Sequence, residues 1–158
     1  VEIETIYHSG LIVSDLDRSV KFYSEVLGLN VERQPAESSG QWISSVVGYE
    51  DVRVRLAFVG MGDGHSLELI QYLTPKGGQG PGPYERNDVG ATHVGMIVDD
   101  AHAWYEHLSA NGVSLFGPPA LRDAEFPWAR HALYFQDPDG HWLELVERAP
   151  RPEGAEGN

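Results

Sequence analysis

Asp139-Gly140-His141-Trp142-Leu143-Glu144-Leu145 repeats, with one residue changed, the earlier heptapeptide Asp63-Gly64-His65-Ser66-Leu67-Glu68-Leu69. In both, Asp-Gly is a turn signal, and the residues after it alternate leucine with glutamate at the two-residue period of a strand. Each glutamate is therefore expected on the sheet face opposite its leucines. A second matching pair supports a duplication: residues 7–15 (YHSGLIVSD) align with 92–100 (THVGMIVDD), and both hold a histidine with a glycine two residues on. Alternation puts His8, Gly10 and Ile12 on one face of their strand, and likewise His93, Gly95 and Ile97. The missing glycine side chain leaves room beside each imidazole. Each half thus presents one histidine near its start and one glutamate near its end.

Outward from these repeats, the chain divides into a first module (1–73), a connector (74–88), a second module (89–148) and a tail (149–158). In the first module, 1–13 reads as a strand with His8 near its middle. Ser14 or Asp15 caps a helix with Leu16, Val20, Tyr23 and Leu27 on one face, and Gly28 ends it. A short strand follows at 29–33. The segment 34–51 has no clean period, although Trp42, Ile43, Val46 and Val47 call for burial. Residues 52–59 and 66–72 form the hairpin that carries Glu68.

The connector TPKGGQGPGPYERND holds four glycines and three prolines, so it continues neither element type, and it is long enough to let halves exchange between protomers. The second module repeats the order. It has a strand at 91–98 and a helix capped by Asp99 or Asp100 with Ala101, Trp104, Tyr105 and Leu108 on one face and Gly112 at its end. An extended piece at 113–116 and a hairpin of 130–136 with 141–147 complete it. Between them 117–129 contains Pro118, Pro119, Phe126, Pro127 and Trp128, a loop that either packs down or covers a ligand. The tail PRPEGAEGN has the composition of a disordered segment. The fold class expected is α+β: two βαβββ modules forming one curved mixed sheet, a half-barrel around a cleft, with the helices outside.

Composition narrows the function classes. With 158 residues, 41% hydrophobic and 22% charged, the chain suits one well-packed unit or two small modules sharing a core. There are no cysteines, which excludes disulfides, thiolate metal sites and cysteine nucleophiles, so any metal is held by nitrogen and oxygen. The formal charge of −13 argues against nucleic acid, whose binding rests on Lys and Arg contacts to phosphate. No apolar run approaches the roughly 20 residues that cross a bilayer, and no charged-then-apolar leader opens the chain; no membrane partner and a cytoplasmic location are expected.

Taken singly, a glutamate on a strand face is usually solvated and a strand histidine is usually a hydrogen-bonded structural residue. The joint pattern reads differently. Two modules related by a pseudo-two-fold axis would bring His8, Glu68, His93 and Glu144 into one cleft. Two imidazoles and two carboxylates suit a borderline divalent ion such as Fe, Ni, Co, Mn or Zn, and the ion offsets the cost of burying both carboxylates. The remaining histidines fit blander roles. His65 and His141 follow the turns with parity opposed to the glutamates, His102 and His107 lie off the apolar face of a helix in solvent, and His131 aligns with Leu133 rather than Tyr134 and stands at most beside the site.

Three motifs make the chain resemble the vicinal oxygen chelate superfamily, which includes glyoxalase I, methylmalonyl-CoA epimerase, extradiol dioxygenases and the fosfomycin- and bleomycin-resistance proteins. They are H-x-G-L-I-V-x-D-L-x-R-S-x-x-F-Y-x-x-V-L-G-L (8–29), T-H-V-G-M-I-V-D-D (92–100) and Y-F-Q-D-P-D-G-H-W-L-E-L-V (134–146). The resemblance covers almost all of the chain before the tail. It implies that His8, Glu68, His93 and Glu144 are the metal ligands of a glyoxalase-type lyase or isomerase. Such an enzyme acts by proton transfer on a small metal-chelated carbonyl or vicinal-oxygen substrate, with Glu144 as base and Glu68 as its counterpart. Bacterial glyoxalase I proteins carry an arginine four residues after the first histidine and an asparagine four after the first glutamate. Those positions here are Ile12 and Tyr72, so a substrate not linked to glutathione is expected. Epimerase-like members have glutamine in place of Glu68.

Extradiol dioxygenases offer the alternative: His8, His93 and Glu144 would face Fe(II), and L-Y-x-x-D-P-x-G-x-x-x-E (133–144) puts Tyr134 in the place of their active-site tyrosine. The histidine that this signature expects some six residues earlier is absent, since Glu125, Phe126 and Pro127 fill that window. A metal-free small-molecule binding or resistance protein is the third reading. The resemblance also implies a homodimer.

Overall fold

Both Asp-Gly hairpins form, and each lies inside a mixed sheet of its own. The computed structural model describes residues 1–78, 84–122 and 128–149, and its contacts divide the chain into two units, Val1–Pro81 and Gly82–Asn158. In the first unit β1 (His8–Ile12) leads into α1 (Leu16–Lys21), which widens into a π turn over Phe22–Val26. Then come β2 (Asn30–Ser39), α2 (Gln41–Val47), β3 (Arg53–Gly60) and β4 (Ser66–Thr74). The sheet order is β1-β4-β3-β2, with β1 parallel to β4 and the other pairs antiparallel. The second unit has β5 (His93–Val98), α3 (Ala101–Ala110), β6 (Ser114–Leu115), β7 (Ala120–Leu121), β8 (Ala129–Gln136) and β9 (Trp142–Arg148). Its order is β5-β9-β8-β6, β5 runs parallel to β9, and β7 also pairs with β8.

The architecture is α+β, two βαβββ modules, as the duplicated motifs imply. In each unit the helix covers one sheet face and the core lies between them. Ala57, Val59, Leu67 and Leu69 are buried beneath Leu16, Phe22, Tyr23 and Leu27; in the second unit Leu133, Phe135, Leu143 and Leu145 are buried with Ala101 and Leu108. Each such leucine contributes about 1.5–3 kcal/mol of transfer free energy. Asp15 caps α1 by accepting from the Arg18 N–H at 3.1 Å, and Asp100 caps α3 by accepting from His102 and Ala103, both at 3.0 Å. Gly112 ends the α3 segment at φ 69°, where a Cβ would be strained. Among the described residues no helix is long and apolar enough to cross a membrane.

Several elements depart from the pattern-based reading. β1 begins at His8, so the histidine opens the strand instead of sitting in its middle. β2 runs on to Ser39 through Pro35, which an edge strand tolerates because no neighbour needs its missing N–H. Register shifts between Val31 and Arg33 and between Arg33 and Ala36 absorb the irregularity. Residues 41–47 are helical, and the burial expected of their apolar side chains does not occur: Trp42 is 74% and Val46 61% exposed, with only Ile43 and Val47 half-buried. Among the described residues of the unit, nothing covers Trp42 or Val46. In the 117–129 loop, β7 pairs with β8 and Trp128 is exposed, while Phe126 and Pro127 fall outside the described residues, as does the tail from 150 on.

Candidate active site

Parallel pairing of the first and last strands of each unit sets the side chains that matter. In the β1–β4 register His8 pairs with Ser66 and Gly10 with Glu68, so histidine and glutamate are diagonal neighbours on the face away from α1. His8 Nε2 lies 3.1 Å from Glu68 Oε2. The β5–β9 register repeats the arrangement, pairing His93 with Trp142 and Gly95 with Glu144, and His93 Nε2 lies 3.3 Å from Glu144 Oε2. The glycine is thus directly beside the glutamate, where a Cβ on Gly95 would stand 3.6 Å from Glu144 Oε2.

These spacings suit donors that share an ion. Bonds of about 2.0–2.2 Å to a divalent metal put adjacent donors roughly 3.0–3.4 Å apart, the range in which both pairs fall. The same distance also accommodates an imidazole N–H donating to the carboxylate. Among the described residues, no three histidine, aspartate or glutamate side chains gather within either unit to hold an ion; each unit supplies a pair.

The two pairs have different neighbours. Beside Glu68 stands Phe58, its register partner, whose ring meets His8 edge-on at 5.7 Å, with Tyr7 on the imidazole at 5.0 Å. Beside Glu144 stands Tyr134, and its hydroxyl is 3.2 Å from His93 Nε2. Burial, reinforced by the charge and hydrogen bonding of Glu144, raises the pKa of the Tyr134 phenol above its ordinary value, while Arg86 pulls the other way. Tyr134 therefore keeps its proton at neutral pH.

Arg86 is the residue that reading the sequence missed. Its guanidinium stacks on Phe116, with Cζ 3.4 Å from the ring centroid, and lies over Trp142 at 4.8 Å and Tyr134 at 5.6 Å. It sits in a connector defined by glycine and proline, and no local pattern marks a lone arginine there.

The other histidines do not join the pairs. His65 donates its backbone N–H to Asp63 and its ring lies 3.3 Å from the Ser9 hydroxyl, and the His141 N–H donates to Asp137 at 2.8 Å, so both belong to their turns. His131 is not beside the site. It points to the helix side of its sheet, Nδ1 3.1 Å from Glu147 Oε2, with the two side chains only 12% and 11% exposed. Glu147 also accepts from the Ala101 N–H at 3.1 Å. His102 and His107 are exposed, as expected of residues off the apolar face, and each also meets a ring, His102 that of His131 at 4.9 Å and His107 that of Trp104 at 5.4 Å.

The family model described as Glyoxalase/Bleomycin resistance protein/Dioxygenase superfamily matches residues 5–145. A lactoylglutathione lyase of Haemophilus influenzae is 30% identical over 151 residues, covering 94% of this chain and 96% of its own. A 2-epi-5-epi-valiolone epimerase of Actinomyces sp. is 30% identical over 145 residues, 89% of this chain and 78% of its own. In three dimensions a glyoxalase family protein from Bacillus cereus aligns with a TM-score of 0.82 at 24% identity, over 95% of this chain and 97% of that one.

Proposed function

We propose, because the chain belongs to the glyoxalase/bleomycin resistance protein/dioxygenase superfamily, that it is a metal-dependent lyase or isomerase that moves a proton between adjacent carbons of a small oxygen-chelating substrate. The observation that carries this reading is the pair of His–Glu contacts, His8 with Glu68 and His93 with Glu144, each at the spacing of two donors on one ion. A catalytic site takes about three protein ligands, so neither pair suffices alone. In this reading all four residues hold one Fe, Ni, Co, Mn or Zn ion. The second pair comes from the other half of the same chain or from the second copy in a homodimer.

Once bound, the ion polarises the substrate oxygens and lowers the cost of the charge that develops on them. The chain's own groups do the rest. Glu144 takes the proton from one carbon, and Glu68, its counterpart, serves the opposite side. The protonated Tyr134 donates to the Glu144 carboxylate and holds it in place. Among relatives, one is named for a glutathione adduct and another for an epimerase. Ile12, exposed on β1, and Tyr72, on β4, replace the polar residues that grip glutathione in the resembling enzymes, which favours a substrate without that carrier.

Metal analysis of the purified protein tests the site. The native chain is expected to hold close to one ion per site, and His8→Ala and Glu144→Ala to lose most of it. If both variants retain stoichiometric metal, the assignment is wrong. Proton–deuteron exchange followed by NMR on the methylglyoxal hemithioacetals of glutathione and of mercaptoethanol then separates carrier-linked from carrier-free substrates. The contact of Tyr134 with His93 supports a second reading, an Fe(II) ring-cleaving dioxygenase; oxygen uptake with catechol would mark it.

A further inference from the structure

The one position at which the repeated heptapeptides differ is Ser66 in the first and Trp142 in the second. The Ser66 hydroxyl donates to Glu32 at 2.5 Å, and the same carboxylate accepts from the Gly62 N–H at 2.8 Å, so the serine helps clamp its turn. Trp142 instead faces a cation. With Phe116 and Tyr134 it forms a platform under the Arg86 guanidinium. Trp142 is the register partner of His93, and the Tyr134 hydroxyl touches His93 Nε2. The guanidinium therefore stands over the sheet face that carries the His93–Glu144 pair, about one aromatic ring away from it.

Two features set this arginine apart. The chain has 24 acidic residues against 11 lysines and arginines, and Arg53, Arg55 and Arg130 each meet a carboxylate. Among the described residues, no carboxylate comes within ion-pair reach of Arg86. Stacking also occupies the flat face of the guanidinium and leaves its in-plane N–H donors free, already oriented, in the fork that matches a carboxylate. Fixing the side chain on rings lowers the entropy it loses on binding.

We propose that Arg86 is the anion anchor and a specificity determinant of this site: it binds the carboxylate of a small substrate whose reacting oxygens lie at the His93–Glu144 end. This deepens the ion-site reading above and rests on it.

The test uses cobalt-loaded full-length protein and two neutral-headed O,O-chelators, acetohydroxamate and succinate monohydroxamate, which differ by a carboxylate, with binding measured by calorimetry. Native protein is expected to favour the carboxylated probe by about ten- to a hundredfold, the range of a charge-assisted pair. Arg86→Gln abolishes that preference while keeping acetohydroxamate affinity and cobalt content. Arg86→Lys retains part of it, through charge without the fork. Equal binding of the two probes by native protein, or equal weakening of both in Arg86→Gln, overturns the proposal and leaves Arg86 as a packing strut. If native protein loses cobalt or binds neither probe, the ion-site reading fails, and the anchor fails with it.

Discussion

Phe58 and Tyr134 are equivalent positions in the two sheets, each the register partner of its unit's glutamate, and they differ by one hydroxyl. The duplicated site is therefore chemically lopsided. Tyr134→Phe makes the second half resemble the first and removes the donor to Glu144. Metal content is expected to stay unchanged, while proton–deuteron exchange on the mercaptoethanol hemithioacetal slows by about ten- to a hundredfold, the worth of a hydrogen bond to a charged group. Phe58→Tyr is the control, with little effect. An unaltered exchange rate in Tyr134→Phe would remove the hydroxyl from the chemistry.

Gly95 separates space from stability. Its missing Cβ would stand 3.6 Å from Glu144 Oε2, an ordinary contact, so Gly95→Ala should keep both fold and metal. Gly95→Val adds methyl groups that push the carboxylate aside. Because valine suits a strand, its melting temperature should hold or rise while metal affinity falls. Parallel loss of both would show that the glycine serves only the backbone.

Glu147 holds the helix side of the second unit together through His131 and the Ala101 N–H. Glu147→Ala leaves both without their acceptor and should cost about 1–3 kcal/mol in urea unfolding. His131→Ala added to it should cost little more, because the two share one interaction. Metal content should not change in either.

Asp100 has its pKa lowered by accepting the Ala103 N–H, with the His102 N–H adding to the effect. A carboxyl whose folded pKa is depressed contributes stability that is complete above its unfolded value and is lost as pH falls through the folded one. The melting temperature of native protein should therefore exceed that of Asp100→Asn at about pH 7, and the margin should shrink progressively as the pH falls below about 4. Asp100→Ala, without any cap, should be the least stable at neutral pH. A margin independent of pH would mean that the charge of Asp100 does nothing beyond its oxygen.

What could be read from residues alone follows from how local each signal is. The faces of Glu68 and Glu144 were legible because strand alternation is a property of neighbours; that each glutamate strand would lie parallel to the histidine strand of its half was not. The caps were legible to within one residue for the same reason, Ser14 or Asp15 for α1 and Asp99 or Asp100 for α3. The path of β2 through Pro35 was not, since only the position of a strand in its sheet decides whether a proline is tolerated. Trp42 and Val46 misled because apolar side chains imply a cover without saying whether the chain supplies it. His131 was placed correctly beside Leu133, but its partner Glu147 depends on a register shift between Ala129 and His131 that no period reveals. Arg86 meets rings from β8, β9 and the segment after β6, contacts that only folding brings together.

Because each His–Glu pair joins the opening strand of its unit to the closing one, it spans nearly the whole module. During synthesis His8 waits for Glu68, and His93 for Glu144, until every intervening strand has left the ribosome and settled into register. Ion uptake, which needs both pairs, would thus report two finished modules rather than nascent ones, and a chain truncated before β9 should lose the second pair however well its other strands assemble.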